Sequence, residues 1–257
     1  MDSMILLTAE APTTSEVAWS VVTYLINRFS LDGPALWALI LGGVLVCMII
    51  PYLLGSLNFA IIISKMFYHD DIRKYGSGNA GMTNMLRTYG KLPAAATLIC
   101  DMLKGALSGW FGMLIFADIG AAIAGLFVVL GHMFPCFYKF KGGKGVATTA
   151  MVVLATDPVT FLILFVMFLI IVIGTKYVSL GSVMCMLIYP FVLSNFKGPG
   201  FHVLSAFIVA ALVIFMHRSN IKRLREGKES KISFKSHKKT SADGSSENKD
   251  GENKKLR

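Results

Sequence analysis

Between residues 36 and 216 the chain is almost continuously apolar, broken into runs of bilayer length by short polar or glycine-rich stretches. The runs are 36–64, 93–116, 119–135, 145–156, 158–174, 177–194 and 200–216. A spanning helix needs about 20 mainly apolar residues, and in hydrocarbon every backbone polar group must be paired within the segment, which leaves helices as the only open-ended solution. The whole composition agrees. Of 257 residues 54% are hydrophobic and 16% charged, where soluble domains carry about 25% charged. The expectation is an all-α, polytopic integral membrane protein with about seven transmembrane helices, or five if the short segments are re-entrant. Pro51 with Gly55-Ser56 predicts a bend or an end within the first run.

Charge gives the orientation. With the N-terminus outside, the inner segments are 65–92, 136–144, 175–176 and 217–257, and they hold 22 of the 25 Lys and Arg. The outer turns carry Asp118 and Asp157 instead. That asymmetry follows the positive-inside rule and places the C-terminus in the cytoplasm. Residues 1–33 hold four acidic residues against one arginine, unlike the basic start of a signal peptide. They read as an extension with an interfacial helix at 17–29. Residues 34–229 form the membrane domain, and 230–257, rich in Lys, Ser, Asn, Gly and Glu, read as a disordered basic cytoplasmic tail. Cys47, Cys100, Cys136 and Cys185 sit singly in apolar surroundings, so neither a zinc site nor a disulfide framework is indicated. No carboxylate cluster faces the polar motifs, and neither metal, cofactor nor nucleic acid is expected.

Three polar clusters interrupt the apolar pattern at the cytoplasmic ends. The first, Tyr75-Gly76-Ser77-Gly78-Asn79-Ala80-Gly81-Met82-Thr83-Asn84, matches G-x-G-x-x-G, with Asp101 further on. A dinucleotide site would need a strand before it and a βαβ unit around it. Here a long apolar run precedes the glycines and Asp101 lies inside the next run, so the match is accidental. What remains is a loop of close backbone and short hydrogen-bonding side chains, with Arg87 positioned one turn along a following helix to clamp a phosphate. The second, Lys139-Phe140-Lys141-Gly142-Gly143-Lys144-Gly145-Val146, leads straight into a helix, whose amides and dipole would favour an anion. The third surrounds His217, Asn220, Arg223 and Glu229, with His217 and Asn220 on one face. A histidine there suits proton transfer or donation to phosphate. Arg218, Lys222, Arg223 and Arg225 read as membrane-flanking charge.

Asp101 and Lys104 share a helix face inside the second run. Intramembrane charges face a polar cavity or each other, so this pair is either a structural ion pair or part of a substrate site. Ser56 and Asn58 in the first run are placed to face the same cavity.

Together the three clusters resemble the bacterial acyl-phosphate:glycerol-3-phosphate acyltransferases, the PlsY family, over residues 36–229. The resemblance rests on Gly55-Ser56; Gly76-Ser77-Gly78-Asn79 through Thr83-Asn84 with Arg87; Asp101 with Lys104-Gly105; Gly131-His132 and Phe134-Pro135; Lys141 through Thr148; and His217, Asn220, Arg223-Leu224, Gly227 and Glu229. It implies transfer of a fatty acyl group from acyl phosphate to the sn-1 hydroxyl of glycerol 3-phosphate, with lysophosphatidic acid and phosphate as products, in the bacterial inner membrane. Carried over by position, Ser77, Arg87, His217 and Asn220 would serve catalysis. Ser56, Gly76, Gly78, Asn79, Thr83, Asn84 and Lys104 would bind substrate, with Lys141, Gly142, Gly143, Lys144 and Gly145, while Asp101 and Glu229 would be structural. The implied partners are glycerol 3-phosphate, acyl phosphate, membrane lipid and the soluble enzyme that makes acyl phosphate. Ala80, Met82 and the aromatic pair Phe137-Tyr138 depart from the family pattern.

Two rivals have definite signatures. Acyl-CoA-dependent glycerolipid acyltransferases carry His-x4-Asp, whereas the residues five after the histidines here are Lys74, Phe137, Phe207, Lys222 and Ala242. A transporter of an anionic phosphate ester also suits broken helices and buried charges, but the two halves of the chain show no repeat. An acyl phosphate is already activated, so direct attack by the glycerol hydroxyl is expected, with His217 or a substrate phosphate accepting the proton.

Overall fold

The protein, as a computed structural model, is described over residues 20–232. The expectations for residues 1–19 and for the tail from 233 onward lie outside the described residues. Among those described, every regular element is helical.

Helix α1, Val21–Phe29, starts where Ser20 Oγ accepts the amide of Thr23 at 3.2 Å, a serine N-cap satisfying one orphan donor. Helix α2, Gly33–Ser56, contains Pro51 but breaks only after Gly55-Ser56. Asn58 then caps helix α3, Phe59–Tyr68, by accepting the amide of Ile61 at 3.2 Å. A break within an apolar segment leaves carbonyls without partners. Lys104 satisfies them: its Nζ lies 2.9 Å from Gly55 O and 2.8 Å from Leu57 O. The same ammonium is 2.9 Å from Asp101 Oδ1.

After helix α4, Met82–Tyr89, comes the longest element, α5, Lys91–Met133. Its residues Phe116 and Ala117 leave helical geometry, Ala117 with φ 50°, which folds the element into a hairpin with arms 91–115 and 118–133. These arms correspond to the second and third apolar runs. Helix α6, Val146–Thr156, has 11 residues and so rises about 16 Å, about half of the hydrocarbon thickness. Asp157 ends it and begins helix α7, Pro158–Thr175, accepting the Thr160 amide at 3.2 Å and its hydroxyl at 2.7 Å. Helices α8, Val178–Lys197, and α9, Phe201–Met216, follow, and α9 bends by 56° at His217 into α10, Arg218–Arg225. All seven apolar runs are thus helical. Among the described residues four stretches, α2–α3, α5, α7 and α8, are long and apolar enough to cross a membrane, five with the bent pair α9–α10.

The core has two centres. Val128, Val129, Met133, Val152, Leu164, Met186 and Val213 join the second arm of α5 to α6–α9. Ile61, Ile72, Ala80 and Met85 join α3 and α4 to the loop between them. Outward-facing residues are apolar too: Trp37, Leu92, Leu162 and Ile173 are more than half exposed, as a lipid-facing surface requires. Close helix crossings depend on absent side chains. A Cβ on Gly131 would land on the Tyr52 carbonyl, and one on Gly55 on the Val128 carbonyl, so α2 and the second arm of α5 touch through backbone, the small-residue packing favoured in membranes.

Candidate active site

The loop 75–81 is held from within by Asn84. Its Oδ1 accepts the Ser77 amide at 3.0 Å, and its Nδ2 donates to Ile72 O at 3.2 Å and Tyr75 O at 2.9 Å. Gly76, at φ 56°, sits so close to that side chain that a Cβ would overlap Asn84 Oδ1. Asn84 and Gly76 therefore shape the loop, and the Asn84 amide has no donor left for a ligand. The loop is anchored further by Asn58 Nδ2, 3.4 Å from Ala80 O. Helix α4, Met82–Tyr89, then places Arg87 one turn beyond Asn84, as the spacing predicts.

In the second cluster the glycine amides do not do what the pattern predicts. Gly142 donates to Met133 O at 3.0 Å and Gly143 to His132 O at 3.1 Å, so neither amide is free for an anion. They fold the loop back on the end of α5. A Cβ on Gly143 would coincide with the His132 imidazole, and this close approach is what requires glycine. Lys141 is exposed and contributes its carbonyl, which accepts from Arg73 Nη1 at 2.9 Å; the same guanidinium group donates to Tyr138 O at 2.9 Å. Arg73 is itself held by Asp71 at 2.7 Å. This Asp71–Arg73 clamp joins the first two clusters, and sequence spacing gave no sign of it because its acceptors are carbonyls.

The third cluster closes the site. Lys144 Nζ donates to Asn220 Oδ1. Asn220 Nδ2 donates to Glu229 Oε1 at 2.6 Å, Ser179 Oγ to the same oxygen at 2.8 Å, and Arg223 Nε to Oε2 at 2.7 Å. Burial alone would raise the Glu229 pKa, but these three donors outweigh it and hold the carboxyl below its usual range. Burial pulls Lys144 down to about 8, opposed by the Glu229 charge. His217 Nδ1 lies 2.8 Å from Val213 O. That carbonyl can only accept, so Nδ1 carries the proton and the neutral ring keeps Nε2 as its acceptor.

A cavity of about 390 Å³ lies among these elements. Ser77, Asn79, Thr83, Asn84 and Arg87 line it from the first cluster, Lys144 and Gly145 from the second, His217, Asn220 and Glu229 from the third. Asp101 and His132 form part of its wall, with His132 Nδ1 3.5 Å from Asp101 Oδ1. The other expected residues stand behind the wall. Ser56 is buried with its hydroxyl toward the Cys136 amide at 3.4 Å; Lys104 is fully engaged at the α2–α3 break; Gly76, Gly78, Lys141, Gly142 and Gly143 do not line the cavity. His132, Arg223, Ser179 and Ser182 line it without having been singled out as ligands. By sequence Arg223 reads as flanking charge, whereas here it lines the cavity and donates to Glu229; burial of His132 depends on the fold-back of Gly143, which no local pattern shows.

Cations dominate the polar end. Arg87 makes no ion pair or side-chain hydrogen bond among the described residues, and Lys144 is bound only to a neutral amide. The other end of the cavity is apolar, lined by Val146, Val153, Phe161, Leu164, Phe168 and Met186. Among the described residues no three His, Cys, Asp or Glu gather to hold a metal ion.

This arrangement has relatives. Residues 45–227 match the sequence model of the family described as glycerol-3-phosphate acyltransferase. The glycerol-3-phosphate acyltransferase of Finegoldia magna is 44% identical over 185 residues, 72% of this chain and 93% of that protein. That of Bacillus cereus strain G9842 is 42% identical over 186 residues, 72% and 93%. Two crystal structures of PlsY, an integral membrane glycerol 3-phosphate acyltransferase, superpose on the fold. Its glycerol 3-phosphate form has a TM-score of 0.70 at 38% identity, and its lysophosphatidic acid form 0.68 at 36%, each covering 74% of this chain and 96% of PlsY. With its helical membrane fold and its three converging polar clusters, the chain belongs to the glycerol-3-phosphate acyltransferase family and is an integral membrane acyltransferase.

Proposed function

We propose that this protein transfers a fatty acyl group from acyl phosphate to the sn-1 hydroxyl of glycerol 3-phosphate, in the bacterial inner membrane with its site toward the cytoplasm. The observation that carries the reading is the two-ended cavity: cationic and hydrogen-bonding groups at one end, apolar side chains at the other. Both substrates bring a phosphate, and the donor brings a hydrocarbon chain. The related PlsY structures hold glycerol 3-phosphate in one form and lysophosphatidic acid in the other, a substrate and a product of this reaction.

Arg87 and Lys144 hold phosphate oxygens, with Ser77 and Asn79 orienting the glycerol. The hydroxyl oxygen attacks the acyl carbonyl carbon; the new ester C–O bond forms as the anhydride C–O bond breaks, and phosphate leaves with its electron pair. The hydroxyl proton passes to His217 Nε2, the ring nitrogen left as acceptor by the bond to Val213 O. Alignment of reactants can supply about 7–11 kcal/mol, and one well-aimed donor to the developing oxyanion about 3 kcal/mol. A covalent acyl-enzyme is unnecessary for so activated a donor. Among the described residues no serine or cysteine is hydrogen-bonded to a histidine, the arrangement that activates such a nucleophile.

The test is turnover by purified protein in detergent, with glycerol 3-phosphate and either palmitoyl phosphate or palmitoyl-CoA. Lysophosphatidic acid is expected from the phosphate alone; formation from the thioester alone would contradict the reading. In the same assay His217→Gln is expected to lose about 10²-fold or more in kcat, and near-normal turnover would move the proton to a substrate phosphate.

A further inference from the structure

Gly143, the residue before Lys144, is closed in on two sides. Its amide donates to His132 O at 3.1 Å. A Cβ added to it would overlap His132 Nε2 on one side and the Ala80 carbonyl on the other, and Ala80 O lies 3.4 Å from Asn58 Nδ2. The imidazole that presses on Gly143 is held from behind. Asp101, Lys104 and His132 are only 3%, 2% and 4% exposed. Asp101 Oδ1 lies 2.9 Å from Lys104 Nζ and 3.5 Å from His132 Nδ1, the latter a charge contact rather than a full hydrogen bond. A carboxylate only accepts, so Nδ1 is the nitrogen that carries hydrogen, and Nε2 is turned to Gly143. Lys104 is anchored in turn on Gly55 O and Leu57 O at the α2–α3 break. One row of buried contacts therefore runs from that break through Lys104, Asp101 and His132 to Gly143. None of these three side chains takes part in the proton or acyl transfer proposed above, although intramembrane charges are costly to keep.

We propose that Asp101 and His132 are positioning residues: the carboxylate fixes the imidazole, the imidazole fixes Gly143, and Gly143 aims the Lys144 ammonium at the phosphate of glycerol 3-phosphate. The inference rests on the reading of Lys144 as a phosphate ligand and adds what holds that ligand in place. Lys144 is half-buried beside Asn220, and burial is the main cause that brings its pKa down to about 8. The other charged or titratable groups around it are Arg87 on α4, His217 at the α9–α10 bend, Arg223 on α10 and Glu229 beyond it. A loop released from His132 lets water reach the ammonium, and the loss of desolvation moves its titration back up toward the ordinary lysine range. A folding defect alone lowers the amount of active protein and leaves that titration where it is.

The test is the pH dependence of kcat/KM for glycerol 3-phosphate in wild type, His132→Ala and His132→Leu, each checked for folding by its Tm in detergent. Leucine fills the space of the ring but cannot bond to Asp101, and it keeps the test open should the alanine variant fail to fold. The wild type should lose activity above about pH 8. His132→Ala should move that limb up by about one pH unit or more. It should also raise KM for glycerol 3-phosphate about tenfold, as weakening of a charged hydrogen bond does, and leave kcat at saturation within about threefold. His132→Leu should move both readings the same way by less. A limb that stays at the wild-type position in both variants would overturn the proposal, and a shift in His132→Ala alone would overturn the role of Asp101. The same titration can be read without turnover, from acetylation of Lys144 by acetic anhydride followed over pH by peptide mass spectrometry. If Lys144→Arg leaves the wild-type limb in place, Lys144 is not the phosphate ligand and that reading fails. The labelling midpoint, near 8 in wild type and higher in His132→Ala, still decides whether His132 positions Lys144.

Discussion

Lys144 and Glu229 show how single side chains set the behaviour of this site. Lys144 stands beside Asn220 and is held at a pKa of about 8 chiefly by burial. It is a cation below that pH and loses its charge as pH rises through it. The second ionisation of a phosphate monoester lies near pH 6, so the substrate does not change charge in the same window. The expected outcome is a fall in kcat/KM for glycerol 3-phosphate centred near pH 8, removed by Lys144→Arg, because guanidinium does not titrate there. A profile unchanged by that substitution would assign the step to another group. Glu229 gathers Ser179, Asn220 and Arg223 on one buried carboxylate. Glu229→Gln keeps the shape but turns an acceptor into a donor facing Arg223, which should cost about 1–3 kcal/mol of stability, read as a lower Tm in detergent at pH 7. An unchanged Tm would mean that the three donors find other partners. Residues of this kind were only partly legible beforehand. Arg87, Lys144, His217 and Asn220 stood out because they break an apolar pattern at helix ends. The roles of Asn84, Lys104 and Gly143 did not, because each is defined by a carbonyl or ring contributed from elsewhere in the chain.

At the scale of elements, hydropathy gave the apolar helices α5 to α9 to within a few residues, since lipid imposes long apolar runs whatever the tertiary packing, but it ran α2 and α3 together and gave no sign of the polar helices α4 and α10. It could not give the depth or direction of short elements. Helix α6 is the clearest case: its 11 residues rise through only about half of the hydrocarbon thickness, and its face from Val146 to Val153 lines the main cavity. The fold-back at Phe116-Ala117 separates two runs that hydropathy already divided, but their tight apposition depends on Gly112 and Gly120 meeting through backbone. The crossing of α2 with the second arm of α5 gives a direct test. Gly131→Val would drive a side chain into the Tyr52 carbonyl, an overpacking worth about 1–3 kcal/mol. It should lower Tm and, because His132 and the Gly143 fold-back lie adjacent, lower kcat at temperatures where the protein remains folded. Loss of Tm with unchanged kcat would uncouple this crossing from the site.

For the whole molecule, the membrane fold brings together segments that are far apart in sequence at one end of the bundle. The clamp from Arg73 to Tyr138 and Lys141, the Lys144–Asn220 contact and the Glu229 network tie the three clusters to each other through the protein's own hydrogen bonds. The charge asymmetry of the sequence is consistent with that face lying in the cytoplasm. The central claim is that Arg87 of the first cluster and Lys144 of the second act together on the phosphate of glycerol 3-phosphate rather than on separate ligands. A double-mutant cycle on Arg87→Met and Lys144→Met, read as kcat/KM for glycerol 3-phosphate, measures this most directly. Each single change should cost about 1.5–3 kcal/mol, as loss of a charged hydrogen bond does, and the pair should be non-additive by about 1 kcal/mol or more. Losses that simply add would place the two cations on independent sites and contradict the account.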